Sequence, residues 1–160
     1  MEKKLILKNE ISEISKLATF IDEVGEEMSL SPELIFNLNL VLEEAVSNVI
    51  LYAYPKEEHQ EISLSAQKKD NSIIFVLTDS GKEFDPTLAP DADITLSAEE
   101  RQIGGLGIFL IRQIMNTVEY QKFLSILQEE MVPAMAVQNQ LRLHMQRQKQ
   151  EMFLAVCQSV

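Results

Sequence analysis

Glu44 and Asn48 stand four residues apart in LVLEEAVSNVILYAYP, a segment so apolar that a carboxylate and an amide within it need a reason. Four residues is about one helical turn, so both side chains leave the same face of a helix. A carboxylate placed there can take a proton from a water or a hydroxyl, and an amide carbonyl oxygen is a hard ligand suited to Mg²⁺ beside phosphates. Taken alone, the pair reads more simply as a helix-surface contact, with Glu44 solvated and Asn48 bonded to backbone. Downstream, Asp79 and Gly81 follow a β-branched run. Such an aspartate can accept a hydrogen bond from an amino group, and such a glycine lets backbone approach a flat ligand, although Asp and Gly after a strand also make an ordinary turn. Gly104, Gly105 and Gly107 then open a helix. Bare amides at a helix N-terminus favour phosphate, and a flexible hinge is the plainer alternative. Their spacing is neither the dinucleotide GxGxxG nor the P-loop GxxxxGK[ST].

The elements that must hold these residues follow from periodicity. Leu5, Ile6 and Leu7 between lysines predict a short strand at a sheet edge. Ile11, Ile14, Leu17, Ala18, Ile21, Val24 and Met28 recur every three or four residues and predict an amphipathic helix from Ile11 onward. Ser31, Pro32 and Glu33 start a second helix with a capping oxygen, a ring at helical φ and an acid near the positive dipole end. That helix should run to about Tyr52, be packed most deeply, and end before Pro55. Ile62, Leu64 and Ala66 alternate with polar residues, Asp70-Asn71 makes a turn, and Ile73 to Thr78 returns, giving an antiparallel hairpin that ends at Asp79. Residues 80 to 103 form a long loop of the length a compact domain keeps for a purpose such as a lid. A third helix spans Ile108 to about Met115, and Val118 and Tyr120 begin a last strand. This order predicts an α+β two-layer sandwich, helices on one face of a mostly antiparallel sheet.

Composition narrows the function classes. The chain has 160 residues, 46% hydrophobic and 24% charged, which fits one globular domain and excludes disorder and collagen-like repeats. The net charge is −11 and the pI about 4.6, which argues against nucleic acid or an anionic membrane as partner. The lone Cys157 suits a reducing, cytoplasmic setting, and the N-terminal apolar run is too short for a signal-peptide core. No run approaches the ~18 apolar residues of a membrane span. His59 and His144 are isolated, so a zinc site is not expected. Residues 1 to 120 hold ten basic and 22 acidic side chains, whereas residues 121 to 160 hold four and three and are rich in Gln and Met. This break divides the chain into 1–121 and an atypical segment, 122–160.

Four features in this order, a buried-helix ExxxN, a hairpin ending in DxG, a long loop and a glycine-rich helix start, carry a resemblance. LVLEEAVSNVILYAYP resembles the N box of the histidine-kinase-like (GHKL) ATPase superfamily, DSGKEFDP its first glycine box and IGGLGIFLI its second. The shortness of the chain and the FDP after DxG look like the bacterial anti-sigma-factor serine kinases. The resemblance covers roughly residues 5 to 120 and implies a Bergerat-type fold. It implies ATP and Mg²⁺ as cofactors, with Glu44 as general base, Asn48 as Mg²⁺ ligand, Asp79 as acceptor of the adenine amino group, and Gly81 beside the base. Gly104, Gly105 and Gly107 would hold phosphate through their amides, and Arg101, in the lid, would bring positive charge to the γ-phosphate. The implied partners are a sigma factor, an anti-anti-sigma protein carrying a phosphorylatable serine, and a second copy in a homodimer.

Beyond Gln121 the sequence departs from that pattern. KFLSILQEEMVPAMAVQNQLRLHMQRQKQEMFLAVCQSV has no glycine turn. Residues 123 to 127 are compatible with a strand, and the rest reads as a helix after Pro133, with Val137, Leu141, Met145, Met152 and Val156 on one stripe. An extension, a partner-binding or dimer helix, and a shifted reading frame are the alternatives. The leading function is thus an ATP-dependent serine kinase and anti-sigma factor. The alternatives are a catalytically silent, nucleotide-gated binding module and an ATP hydrolase without a protein substrate.

Overall fold

In the computed structural model, residues 2–55, 60–70, 72–88, 105–129 and 132–146 are described. Strands β1 (Glu2–Lys8), β2 (Glu61–Lys69), β3 (Ser72–Asp79), β4 (Thr117–Glu129) and β5 (Val132–Gln146) form one sheet in the order β1-β2-β3-β5-β4. Every neighbouring pair is antiparallel. Burial alternates along β2 and β3, so Ile62, Leu64, Ala66, Ile73, Phe75 and Leu77 face inward while Ser63, Ser65, Val76 and Thr78 take the other face. The helices α1 (Ile14–Met28), α2 (Pro32–Tyr52) and α3 (Gly105–Ile114) cover the inward face. The two-layer α+β sandwich expected from the sequence is therefore the observed architecture, with the Lys-flanked β1 at a sheet edge.

Helix α2 is the spine of the core. Leu34, Leu38, Val41, Leu42, Ala45, Val46 and Ile50 are buried against α1 and the sheet. By length and composition alone this helix is long and apolar enough to cross a membrane, as the core helix of a folded domain also can be, and here its buried side chains fill a protein core. Its N-terminus is set as the sequence requires: Leu34 N–H donates to Ser31 Oγ at 3.2 Å, and Pro32 occupies the first turn. Helix α1 starts at Ile14 rather than Ile11, because residues 11–13 form a tighter 3₁₀ turn that leaves Ile11 exposed. The buried Glu13 carboxylate anchors that turn, accepting from Lys16 Nζ at 2.6 Å and from the Lys8 backbone N–H at 3.3 Å.

The tail differs most from expectation. A helix after Pro133 is not what forms: residues 132–146 are β5, inserted between β3 and β4 and paired with both. The spacing that suggested a helix explains the error. Val137, Leu141 and Met145 are four apart, and a multiple of two also keeps residues on one face of a strand. Leu141, Leu143 and Met145 face the core, and Leu143 and Met145 are buried there. Pro133 costs little near the start of the strand. Satisfying the backbone edge of β3 along Ser72–Asp79 is the tertiary demand that selects the strand. The composition break at residue 121 falls inside β4. Met152 and Val156 lie outside the described residues.

Removing the α2 cap gives a direct check on this spine. Ser31→Ala should lower the unfolding free energy by about 1 kcal/mol with the circular dichroism spectrum of the native state retained, read by urea denaturation.

Candidate active site

Glu44 and Asn48 lie on the part of α2 that faces α3, both half-buried. Asn48 Nδ2 donates to Glu44 Oε1 at 2.9 Å, so the two side chains form a unit rather than separate surface groups. This bond orients the amide, directing its nitrogen to the carboxylate and its carbonyl oxygen away from it. Gly107, in the first turn of α3, packs directly on the Glu44 carboxylate, and a Cβ there would overlap Oε1, Cδ and Cγ. Only a residue without a side chain permits this approach. The carboxylate thus sits beside the positive end of a helix dipole, where negative charge is favoured.

At the C-terminal end of α2, a turn or two beyond this pair, the chain grips the loop leaving β3. Three successive amides are tied inward: Ser80 N–H donates to the Tyr54 hydroxyl at 2.9 Å, Gly81 N–H to Asp79 Oδ1 at 2.8 Å and Lys82 N–H to the Ala53 carbonyl at 2.6 Å. Gly81 is required here because a Cβ would come within 2.6 Å of the Ala53 oxygen. Asp79 ends β3 only 9% exposed, an uncommon place for a carboxylate without a task. Burial raises the Tyr54 pKa above the ordinary tyrosine value; hydrogen bonds from Ser80 oppose this, and the charge of Asp79 adds to it. The next residues are pinned as well. Lys122 on β4 pairs with Glu83 at 2.5 Å, and Arg112 on α3 donates to the carbonyls of Pro86 and Thr87 at 2.7 and 2.9 Å. Burial, then the charges of Glu83, Asp79 and Asp85, raise the Tyr120 pKa from β4.

The structure thus brings Glu44, Asn48 and Gly107 together at α2 and α3, and places Asp79 and Gly81 against the C-terminal end of α2. Gly105 begins α3. Gly104 and Arg101 lie outside the described residues, as do residues 89–103 of the loop. Among the described residues no three His, Cys, Asp or Glu side chains form a metal cluster. Sequence reasoning missed Ala53 and Tyr54, although the YAYP that ends the second helix offered a signal: a tyrosine just past a helix end has a hydroxyl able to reach another element.

The model for the histidine kinase-like ATPase domain matches residues 7–126. The chain belongs to the histidine kinase-like ATPase family. Its ExxxN helix, DxG loop and glycine-led α3 are spread through the matched region, and membership implies ATP binding. The chain is similar to the serine/threonine-protein kinase BtrW of Bordetella bronchiseptica, 26% identical over 72% of this chain and 86% of the relative. It is also similar to the serine-protein kinase RsbW of Listeria monocytogenes, 29% identical over 60% of this chain and 64% of that relative. The anti-sigma F factor of Oceanobacillus iheyensis is 26% identical over 71% of this chain and 75% of its own length.

Two outcomes test this geometry. In this histidine kinase-like ATPase, Gly107→Ala should displace the Glu44 carboxylate and cut ATP turnover by about a hundredfold, read by phosphate release, with the circular dichroism spectrum retained. Because Tyr54 and Tyr120 have raised pKa values, the unfolded chain ionises first, and stability present below about pH 10 is lost as pH rises through the folded-state values. Tyr54→Phe should reduce that alkaline loss when denaturation at about pH 8 is compared with about pH 11.

Proposed function

We propose that this chain is an ATP-binding anti-sigma factor and serine-protein kinase that phosphorylates an anti-anti-sigma protein and sequesters a sigma factor, acting in the cytoplasm as a homodimer. The observation that carries the reading is the Glu44–Asn48 pair held under the first turn of α3. In the proposed reaction Glu44 takes the proton from the serine hydroxyl of the protein substrate as that oxygen attacks the γ-phosphorus, and ADP leaves. The Asn48 carbonyl oxygen, turned away from Glu44, is a hard donor that suits Mg²⁺, which characteristically draws most of its other ligands from phosphates and water. Bound there, the ion would neutralise phosphate charge. Asp79 would accept the amino hydrogen of adenine, with Gly81 allowing close approach. The amides of Gly104, Gly105 and Gly107, with Arg101, would hold the phosphates. Phosphoryl transfer asks mainly for positioning and charge neutralisation, which this set supplies.

The axial rise from Glu44 to Ala53 is about 13 Å, so α2 sets the acid and the Asp79 loop apart on the scale of an extended nucleoside triphosphate. The names of the relatives support the kinase and anti-sigma assignments.

Incubation with Mg-ATP and a candidate antagonist protein, followed by phosphoserine analysis, is the test. Glu44→Gln should lower transfer by 10²–10⁴-fold, about the contribution of a general base, with ATP affinity in calorimetry nearly unchanged. ATP binding with no phosphoserine on any antagonist would turn the assignment to a nucleotide-gated binding module.

A further inference from the structure

Tyr54 is not one of the residues whose type suggests phosphoryl transfer, yet it contacts the loop that carries Asp79. The residue is only 9% exposed, and its hydroxyl oxygen accepts a hydrogen bond from the Ser80 amide at 2.9 Å. The two amides that follow are consumed by Asp79 itself and by the Ala53 carbonyl. The loop backbone at 80–82 therefore spends its donors on holding its own shape, so recognition there depends on how the Asp79 carboxylate is aimed. The bond from Gly81 contributes to that aim within the turn, and the bonds to Tyr54 and Ala53 hold the turn against the end of α2. Because α2 also carries Glu44 and Asn48, one rigid helix references the carboxylate at Asp79 to the acid and amide that would meet the phosphates.

We infer that Tyr54 is a positioning residue whose hydroxyl, by holding the Ser80 amide, aims the Asp79 carboxylate and so sets selectivity for a purine with an amino group at C6 over one with a carbonyl oxygen at C6. The inference rests on the nucleotide-binding reading above. Asp79 would be the group in contact with the base, and Tyr54 acts only through the turn. Loss of the hydroxyl leaves the Ser80 amide without its acceptor and lets the turn rotate. The acceptor then meets the amino group off line, which costs the adenine ligand more than the guanine ligand.

The experiment uses the full chain and Tyr54→Phe, which removes one oxygen and keeps the ring in the core. Calorimetry with ATP and with GTP gives the two affinities for each protein, and the kinase assay gives KM and kcat for ATP. The expected result is a fall in ATP affinity of about fivefold to tenfold, a smaller change for GTP, and a raised KM with unchanged kcat. The selectivity ratio is internal to each protein, so a lower fraction of folded material does not alter it. A reduced melting temperature with an unchanged ATP-to-GTP ratio would assign Tyr54 a purely structural role and overturn the inference, as would unchanged affinity for both. If the wild-type chain binds neither nucleotide, the functional reading itself fails, a result distinct from these.

Discussion

The burial of α2 between α1 and the sheet is the constraint on which the rest of the structure depends. Seven of its side chains are locked in the core, so its rotation and axial position are set by packing rather than by the polar groups it carries. Glu44 and Asn48 are consequently presented toward α3 whether or not a ligand is near. The same packing sets the height of the Ala53 carbonyl and the Tyr54 hydroxyl, which receive the loop after β3. The Glu44–Asn48 pair and the loop after β3, distant in sequence, are thus both held by one element whose position is set by packing.

Two glycines make this arrangement sterically possible. Gly81 lets the loop lie on the end of α2, and Gly107 lets α3 come down on the Glu44 carboxylate. Each is a close approach of backbone to a neighbouring element, a demand different from the turn or hinge flexibility that glycine-rich sequences first suggest. Around them, side chains from α3 and β4 hold the exit from β3: Arg112 on the carbonyls of Pro86 and Thr87, and Lys122 on Glu83. Residues with no direct part in the chemistry thus give the acidic segment after Asp79 a defined course.

The sheet closes through the crossover from β3 by α3 to β4, with β5 returning between the two. Parallel strands β3 and β4 are not neighbours, and β5 satisfies the facing edges of both. Placing α3 on the helical face by this route is what brings Gly107 over Glu44. The final strand therefore serves the site indirectly, by fixing the part of the sheet on which α3 rests.

Local physics in the sequence determined a great deal: the cap at Ser31, the reach of α2 to Tyr52 and the β2–β3 hairpin ending at Asp79. These are short-range patterns, one turn of helix or one alternation of strand, and each is complete within a few residues. The conformation of residues 132–146 was decided elsewhere. A spacing of four satisfies a helix face and a strand face alike, and only the unpaired edge of β3 selects between them. The YAYP motif marks Tyr54 as a hydroxyl able to reach another element, but its partner was illegible for a similar reason, since that amide lies 26 residues away and no local pattern records the contact. What a residue is able to do is written in its side chain, and what it touches depends on which distant backbone the packing of α2 brings to it.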